Sequence, residues 1–193
     1  MAAVLPLSRY RPSAAAPLII FVDLQNEFVF EGRPLQIKSA ESALANCRRL
    51  LEGARAARLS IAHVRLVGSA FHHASHGAEW IDEFRPYGSE MVFERETPSC
   101  YGSPAFCKMM DAGGGASAIL AGLAGSTSCL ATLIEAEQRH HKVCYAHDAS
   151  SSNARSFEQE KTIHEAAVQI ASQFVELVGT SEILDRLKPP SIN

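Results

Sequence analysis

The stretch "ASAILAGLAGSTSCLATLIEAEQRHHKVCYAHD", residues 116–148, decides the fold. It opens with a continuous apolar run, ASAILAGLA (116–124), and crosses a small polar loop. An amphipathic segment, SCLATLIEAEQRHH (128–141), comes next, and a second apolar run, KVCYAHD (142–148), follows at once. Uninterrupted apolar runs mark strands covered on both faces, because a half-exposed strand alternates apolar and polar residues. Strand, helix and strand in so short a span read as one parallel β–α–β unit.

The same grammar extends outward. PLIIFVD (17–23), SIAHVRL (60–66), EMVFER (90–95) and QFVELV (173–178) read as further strands. Between the first two, residues 39–57 place Ala43, Leu44, Cys47, Leu50, Leu51 and Ala54 on one helical face, with Ser39 as a cap. Residues 157–172 form another helix, and DAGGGASA (111–118) is a helix-to-strand turn without the lysine of a phosphate loop. The expected class is α/β: an open, mostly parallel six-stranded sheet with helices on both faces, a Rossmann-like three-layer sandwich. No composition break divides 17–188; residues 1–16 read as a flexible leader and 189–193 as a tail. The least regular section, 66–89, is expected to be a loop with one short helix.

Composition narrows the partners. A net charge of −3 over 193 residues carries no electrostatic footprint for nucleic acid. No apolar run approaches the ~20 residues of a membrane span. The five cysteines (47, 100, 107, 129 and 144) are odd in number and lack CxxC spacing. That pattern suits reduced thiols in a cytoplasmic chain.

Chemistry is expected at the carboxyl ends of the strands, where open α/β sheets bind ligands. Asp23 closes the first strand, Arg95 closes the third, and Cys129 follows the fourth. An aspartate can take a thiol proton, and a nearby cation stabilises the thiolate. The helix starting near Ser128, with Ser126 or Thr127 as cap, would add its N–H groups and dipole. Taken alone, Cys129 suits a small buried hydrophobe as well as a nucleophile. The joint placement with Asp23 and Arg95 makes the nucleophile preferable.

These residues carry a family resemblance. FVDLQNEF (21–28) resembles the D-x-Q-N-x-F signature of the isochorismatase-like cysteine hydrolases, which include nicotinamidases and N-carbamoylsarcosine amidases. LAGLAGSTSCLATLIEA (120–136) and HDASSS (147–152) resemble two further segments of that family. The resemblance spans roughly residues 17–178. It implies Asp23 as catalytic acid–base, Cys129 as nucleophile, and Ala124 and Gly125 in the oxyanion loop, with a non-proline cis peptide near Ala124–Gly125. It also implies a homo-oligomer.

Two departures stand out. The family's lysine at the end of the third strand is replaced by Arg95, a permanent cation that cannot readily relay a proton. Family members often have six positions from the strand glycine to the cysteine, and Gly122 to Cys129 is seven.

The resulting expectation is hydrolysis of an amide-type carbon–nitrogen bond in a small molecule, through a Cys129 thioester and with no cofactor. Phe28, His72, Trp80 and Tyr101 are candidate substrate contacts. HHASH (72–76) has no accompanying carboxylate, so no metal is expected. The alternative is a non-hydrolytic binding protein on the same fold, suggested by Arg95.

Overall fold

The computed structural model describes residues 16–68, 76–113 and 116–187. The leader (apart from Ala16), His72 and the 189–193 tail lie outside the described residues. Six strands form one sheet: β1 (Leu18–Val22), β2 (Ile61–Leu66), β3 (Met91–Arg95), β4 (Ala118–Leu123), β5 (Val143–Ser151) and β6 (Leu177–Val178). Their order is β3-β2-β1-β4-β5-β6, and every pairing is parallel. The expected sheet is therefore present. The expected sixth strand shrinks to two residues, and β5 runs three residues past its expected end.

Side-chain alternation along β1 builds the layers. Ile19 and Phe21 point to one face, where they pack with Cys47, Leu50, Leu51 and Ala54 of α1 (Glu41–Ala56). Ile183 of α5 (Thr180–Leu187) joins the same cluster. Ile20 and Val22 point to the other face. There they meet Phe106 and Met110 of α2 (Pro104–Ala112), Leu133 and Ala136 of α3 (Leu130–Gln138), and Ala171 of α4 (Phe157–Ala171). Both faces of β1 are covered, which is why its sequence is apolar without a break.

Ser39 does not cap α1; the cap position is Ala40, with no side-chain hydrogen bond. Instead the Lys38 and Ser39 N–H groups donate to the buried Glu160 carboxylate at 3.0 and 2.8 Å, which ties α1 to α4. The 76–84 section holds two short 3-10 turns, His76–Ala78 and Asp82–Phe84. Gln25 clamps it to the sheet: its amide donates to the carbonyls of Leu66 and Ala78 and accepts from the Leu66 N–H.

Candidate active site

Strand order reverses around β1, which is flanked by β2 on one side and β4 on the other. The switch-point crevice therefore opens at the ends of β1 and β4. Val22 pairs with Gly122. A Cβ at Gly122, whose φ is 122°, would lie 2.1 Å from the Val22 carbonyl oxygen, so only glycine permits this approach. Asp23 follows with φ 53°, a left-handed conformation that aspartate tolerates better than most residues. The turn aims its carboxylate beneath the loop that follows β4.

Asp23 is fully buried. Its Oδ2 accepts from Arg95 Nη2 at 2.6 Å and from Ser128 Oγ at 2.6 Å. Its Oδ1 has no hydrogen-bond partner among the described residues. Burial pushes the carboxyl up from its ordinary range, while the Arg95 charge and the Ser128 hydroxyl pull it back. Arg95 stands two strands away, about 10 Å at the usual spacing, and its long side chain closes that gap across β2. It also donates to the Thr97 carbonyl. At 2% exposure it is a buried cation held against a buried anion.

The loop after β4 is one π-helical turn, Gly125–Cys129, running into α3. The peptide bond Leu123–Ala124 is cis, one bond earlier than expected. Neither Ser126 nor Thr127 caps the turn; Ser126 N–H donates to Ser152 Oγ at 2.9 Å. The Thr127 and Cys129 N–H groups both bond the Ala124 carbonyl at 3.2 Å, so they are occupied. Thr132 Oγ1 donates to the Ser128 carbonyl at 2.7 Å and accepts from Cys100 N–H at 3.0 Å. This bridge pins the turn against the segment after β3.

Cys129 departs from expectation. Its thiol faces the Gly122 and Leu123 carbonyls at 3.6 and 3.9 Å, and the Ser150 hydroxyl donates to it at 3.8 Å. None of its hydrogen bonds reaches Asp23 or Arg95. It is 0% exposed, inside the core cluster that contains Leu133 and Tyr145. Burial, the largest influence, pushes the thiol up to about 12. The side chain that reaches Asp23 belongs to the preceding residue, six positions from Gly122. Ser128 points to the site because consecutive residues of a helical turn project about 100° apart; a shift of one residue exchanges cavity for core.

A cavity of about 190 Å³ lies over this turn, walled by Phe28, Leu66 and Ala124 with Thr127, Ser128 and Glu96. Of the expected substrate contacts, Phe28 lines it. Trp80 stands edge-on to His63, with Arg65 over its ring, and takes no part in the wall. Tyr101 also lies elsewhere: it stacks on His141, and its hydroxyl meets His141 Nδ1 at 2.8 Å. Ala124 borders the cavity, while a Cβ on Gly125 would run into His164 and Ser150 on the opposite side. A larger cavity of about 650 Å³ is lined from α1, β5 and α4, but Asp23, Arg95 and Ser128 are absent from its lining. The smaller cavity is the candidate site because the buried ion pair lies under its floor. Among the described residues, no group of three or more His, Cys, Asp or Glu side chains could hold a metal ion. No helix among them is long and apolar enough to cross a membrane.

Comparisons with known proteins agree with this architecture. A hydrolase of the isochorismatase family from Chromobacterium violaceum superposes with a TM-score of 0.77 at 24% identity, covering 97% of this chain and 98% of its own. A cysteine hydrolase from Pseudomonas syringae gives a TM-score of 0.79 at 19% identity, over 96% of this chain and 98% of its own. N-carbamoylsarcosine amidase from Thermoplasma acidophilum gives 0.69 at 20% identity, over 86% and 98%. No curated protein matches the chain in sequence. The Isochorismatase domain model matches residues 17–182, from the start of β1 into α5. The chain belongs to the isochorismatase-like hydrolase family.

Proposed function

We propose that this hydrolase cleaves an amide-type carbon–nitrogen bond of a small, neutral or cationic molecule. The observation that carries the reading is Asp23, a buried carboxylate shared by a fixed cation and a hydroxyl beneath the cavity floor. A carboxylate whose pKa is raised by burial is a better base than one in water. Asp23 takes the proton of the attacking group, returns it to the leaving nitrogen, and then activates water to free the acid. In this reading the loop of Ala124 and Gly125 takes the oxyanion role, with Ala124 bordering the cavity.

Arg95 pulls the Asp23 pKa down against burial and is not spare for binding a substrate anion, since Asp23 and Thr97 occupy its terminal nitrogens. Glu96 is the one charged group among the described cavity-lining residues, which disfavours an anionic substrate. The likeness in fold to N-carbamoylsarcosine amidase supports a carbon–nitrogen bond. The thioester on Cys129 has no geometric support, because that thiol is sealed in the core. The non-hydrolytic alternative rests on the arginine in place of lysine; against it, Arg95 points at Asp23 and not into solvent.

The test is ammonia release from a panel of amides, carbamoyl compounds and ureides, with wild-type protein and Asp23→Asn. Release by the wild type alone supports the reading. A panel that yields no ammonia, or an Asp23→Asn variant as active as the wild type, overturns it.

A further inference from the structure

We propose that Ser128, and not Cys129, supplies the nucleophile, so that the covalent intermediate is an oxygen ester. This rests on the hydrolytic reading of the same site.

Three observations carry it. Ser128 Oγ donates to Asp23 Oδ2 at 2.6 Å, the geometry of a hydroxyl about to lose its proton to a positioned base. Ser128 borders the cavity, with Phe28 and Ala124 beside it. Its backbone is held by the Thr132 hydroxyl, so the oxygen stands on a rigid element at the start of a helix. Cys129 shares the rigid backbone but fails the first two conditions: it has no hydrogen bond to Asp23 and no place in the cavity wall, and it is fully buried.

The chemistry balances with water as the only co-reactant. Asp23 takes the Ser128 proton as Oγ bonds to the substrate carbonyl carbon. The carbonyl π pair moves to oxygen, giving a tetrahedral oxyanion. Collapse breaks the carbon–nitrogen bond, and Asp23 returns the proton to the leaving amine. Asp23 next removes a proton from water, whose oxygen attacks the ester. The carbon–Oγ bond then breaks, and Ser128 recovers its proton. Net, one water is consumed and one acid and one amine form.

A serine hydroxyl is a weak nucleophile without an adjacent base, which predicts strong dependence on Asp23. The permanent charge of Arg95 suits this pairing: it favours the ionised form of Asp23 against burial and has no proton to give away in competition with Ser128.

The experiment uses 4-nitrophenyl acetate on the purified full chain, with nitrophenolate release followed optically and the acetyl group located by peptide mass spectrometry after an acid quench. This readout needs no ammonia-releasing substrate, so it stands apart from failure of the carbon–nitrogen reading. Wild-type protein is expected to carry the acetyl group on Ser128, and Ser128→Ala to lose about a hundredfold or more in acylation rate. Ser128→Cys, a near-isosteric change that keeps the turn, is expected to be alkylated by iodoacetamide at position 128 far faster than the wild type is at Cys129. Acetyl on Cys129, no acetyl on either residue of the wild type, or an undiminished rate in Ser128→Ala overturns the proposal. So does a Ser128→Cys variant that resists alkylation at position 128.

Discussion

Two carboxylates bracket strand β3 and meet opposite fates. Glu90 sits just before it and Asp23 lies beside the arginine at its other end; each is paired with an arginine. Glu90 is saturated: Arg55 Nε and Nη2 donate at 2.7 and 3.0 Å, and the Tyr87 N–H donates at 2.9 Å. His63 Nε2 adds a fourth contact at 2.8 Å. Burial alone would raise its pKa, but these partners bring it down to about 2. Asp23 has both donors on one oxygen, and complete burial wins. A charge that its surroundings fully satisfy is structural. One left short of donors in a dry place keeps basicity for chemistry.

The sharpest way to break this comparison is Asp23→Asn. The amide cannot take a proton, so Ser128 acylation should fall by about 10²–10⁴-fold, the usual worth of a general base. Steady-state nitrophenolate release measures this, and an unchanged rate would remove Asp23 from the chemistry.

Arg95→Met should act next most strongly, and mainly on stability. It leaves the Asp23 charge buried without its cation, a change worth about 3–5 kcal/mol in comparable sites. Asp23 would answer by binding a proton, because the Coulombic pull of Arg95 is gone. In the wild type, activity should vanish as pH falls through the raised Asp23 pKa, above the ordinary carboxylate range. In Arg95→Met that acid limb should move further up. Denaturant melts and a pH–rate profile read the two effects separately.

Glu90→Gln should cost less, about 1–3 kcal/mol for the lost charged partner, and leave Ser128 acylation intact. The sign of its pH dependence is fixed: Glu90 goes from 4.5 to about 2 on folding, so its stabilisation is complete above 4.5. The stabilisation is lost as pH falls through about 2, so the wild-type advantage in urea midpoint should narrow across that window. A constant difference over the window would mean Glu90 acts by shape alone.

The smallest effect belongs to Cys129→Ala. Removing one buried sulfur from the core should cost about 1 kcal/mol and leave the acetyl group on Ser128. Loss of acylation with an unchanged melting point would return the nucleophile to Cys129.

The residues themselves determined the sheet. Unbroken apolar runs such as LIIFV can be buried only between two helical layers, and periodicity is a local property that needs no partner to be read. Asp23 and Arg95 were legible for the same reason, because a strand that ends in a charge announces its carboxyl end. The sequence also contained the DLQNEF segment, but not its division of labour. Gln25 proves to be a clamp, Asn26 bonds the His76 carbonyl, and Glu27 pairs with Arg33, leaving Asp23 and Phe28 at the site.

Tertiary structure decided which of two adjacent residues meets Asp23. Serine and cysteine stand side by side in GSTSC, both small and both able to attack a carbonyl. Their side chains diverge by about 100° around the helical turn, so orientation depends on where the loop leaves β4 and how many residues it takes to reach α3. The turn closes by π-type bonding, Cys129 N–H to the Ala124 carbonyl, and this sets the phase that sends Ser128 to the cavity and Cys129 to the core. The spacing carried a trace of that phase, since the family's six positions from the strand glycine end on Ser128 and not on Cys129, but the phase itself is fixed by packing against β5 and Thr132. Trp80 and Tyr101 went astray for a related reason: an aromatic ring fills whatever neighbour the fold brings, and here those neighbours were His63 and His141.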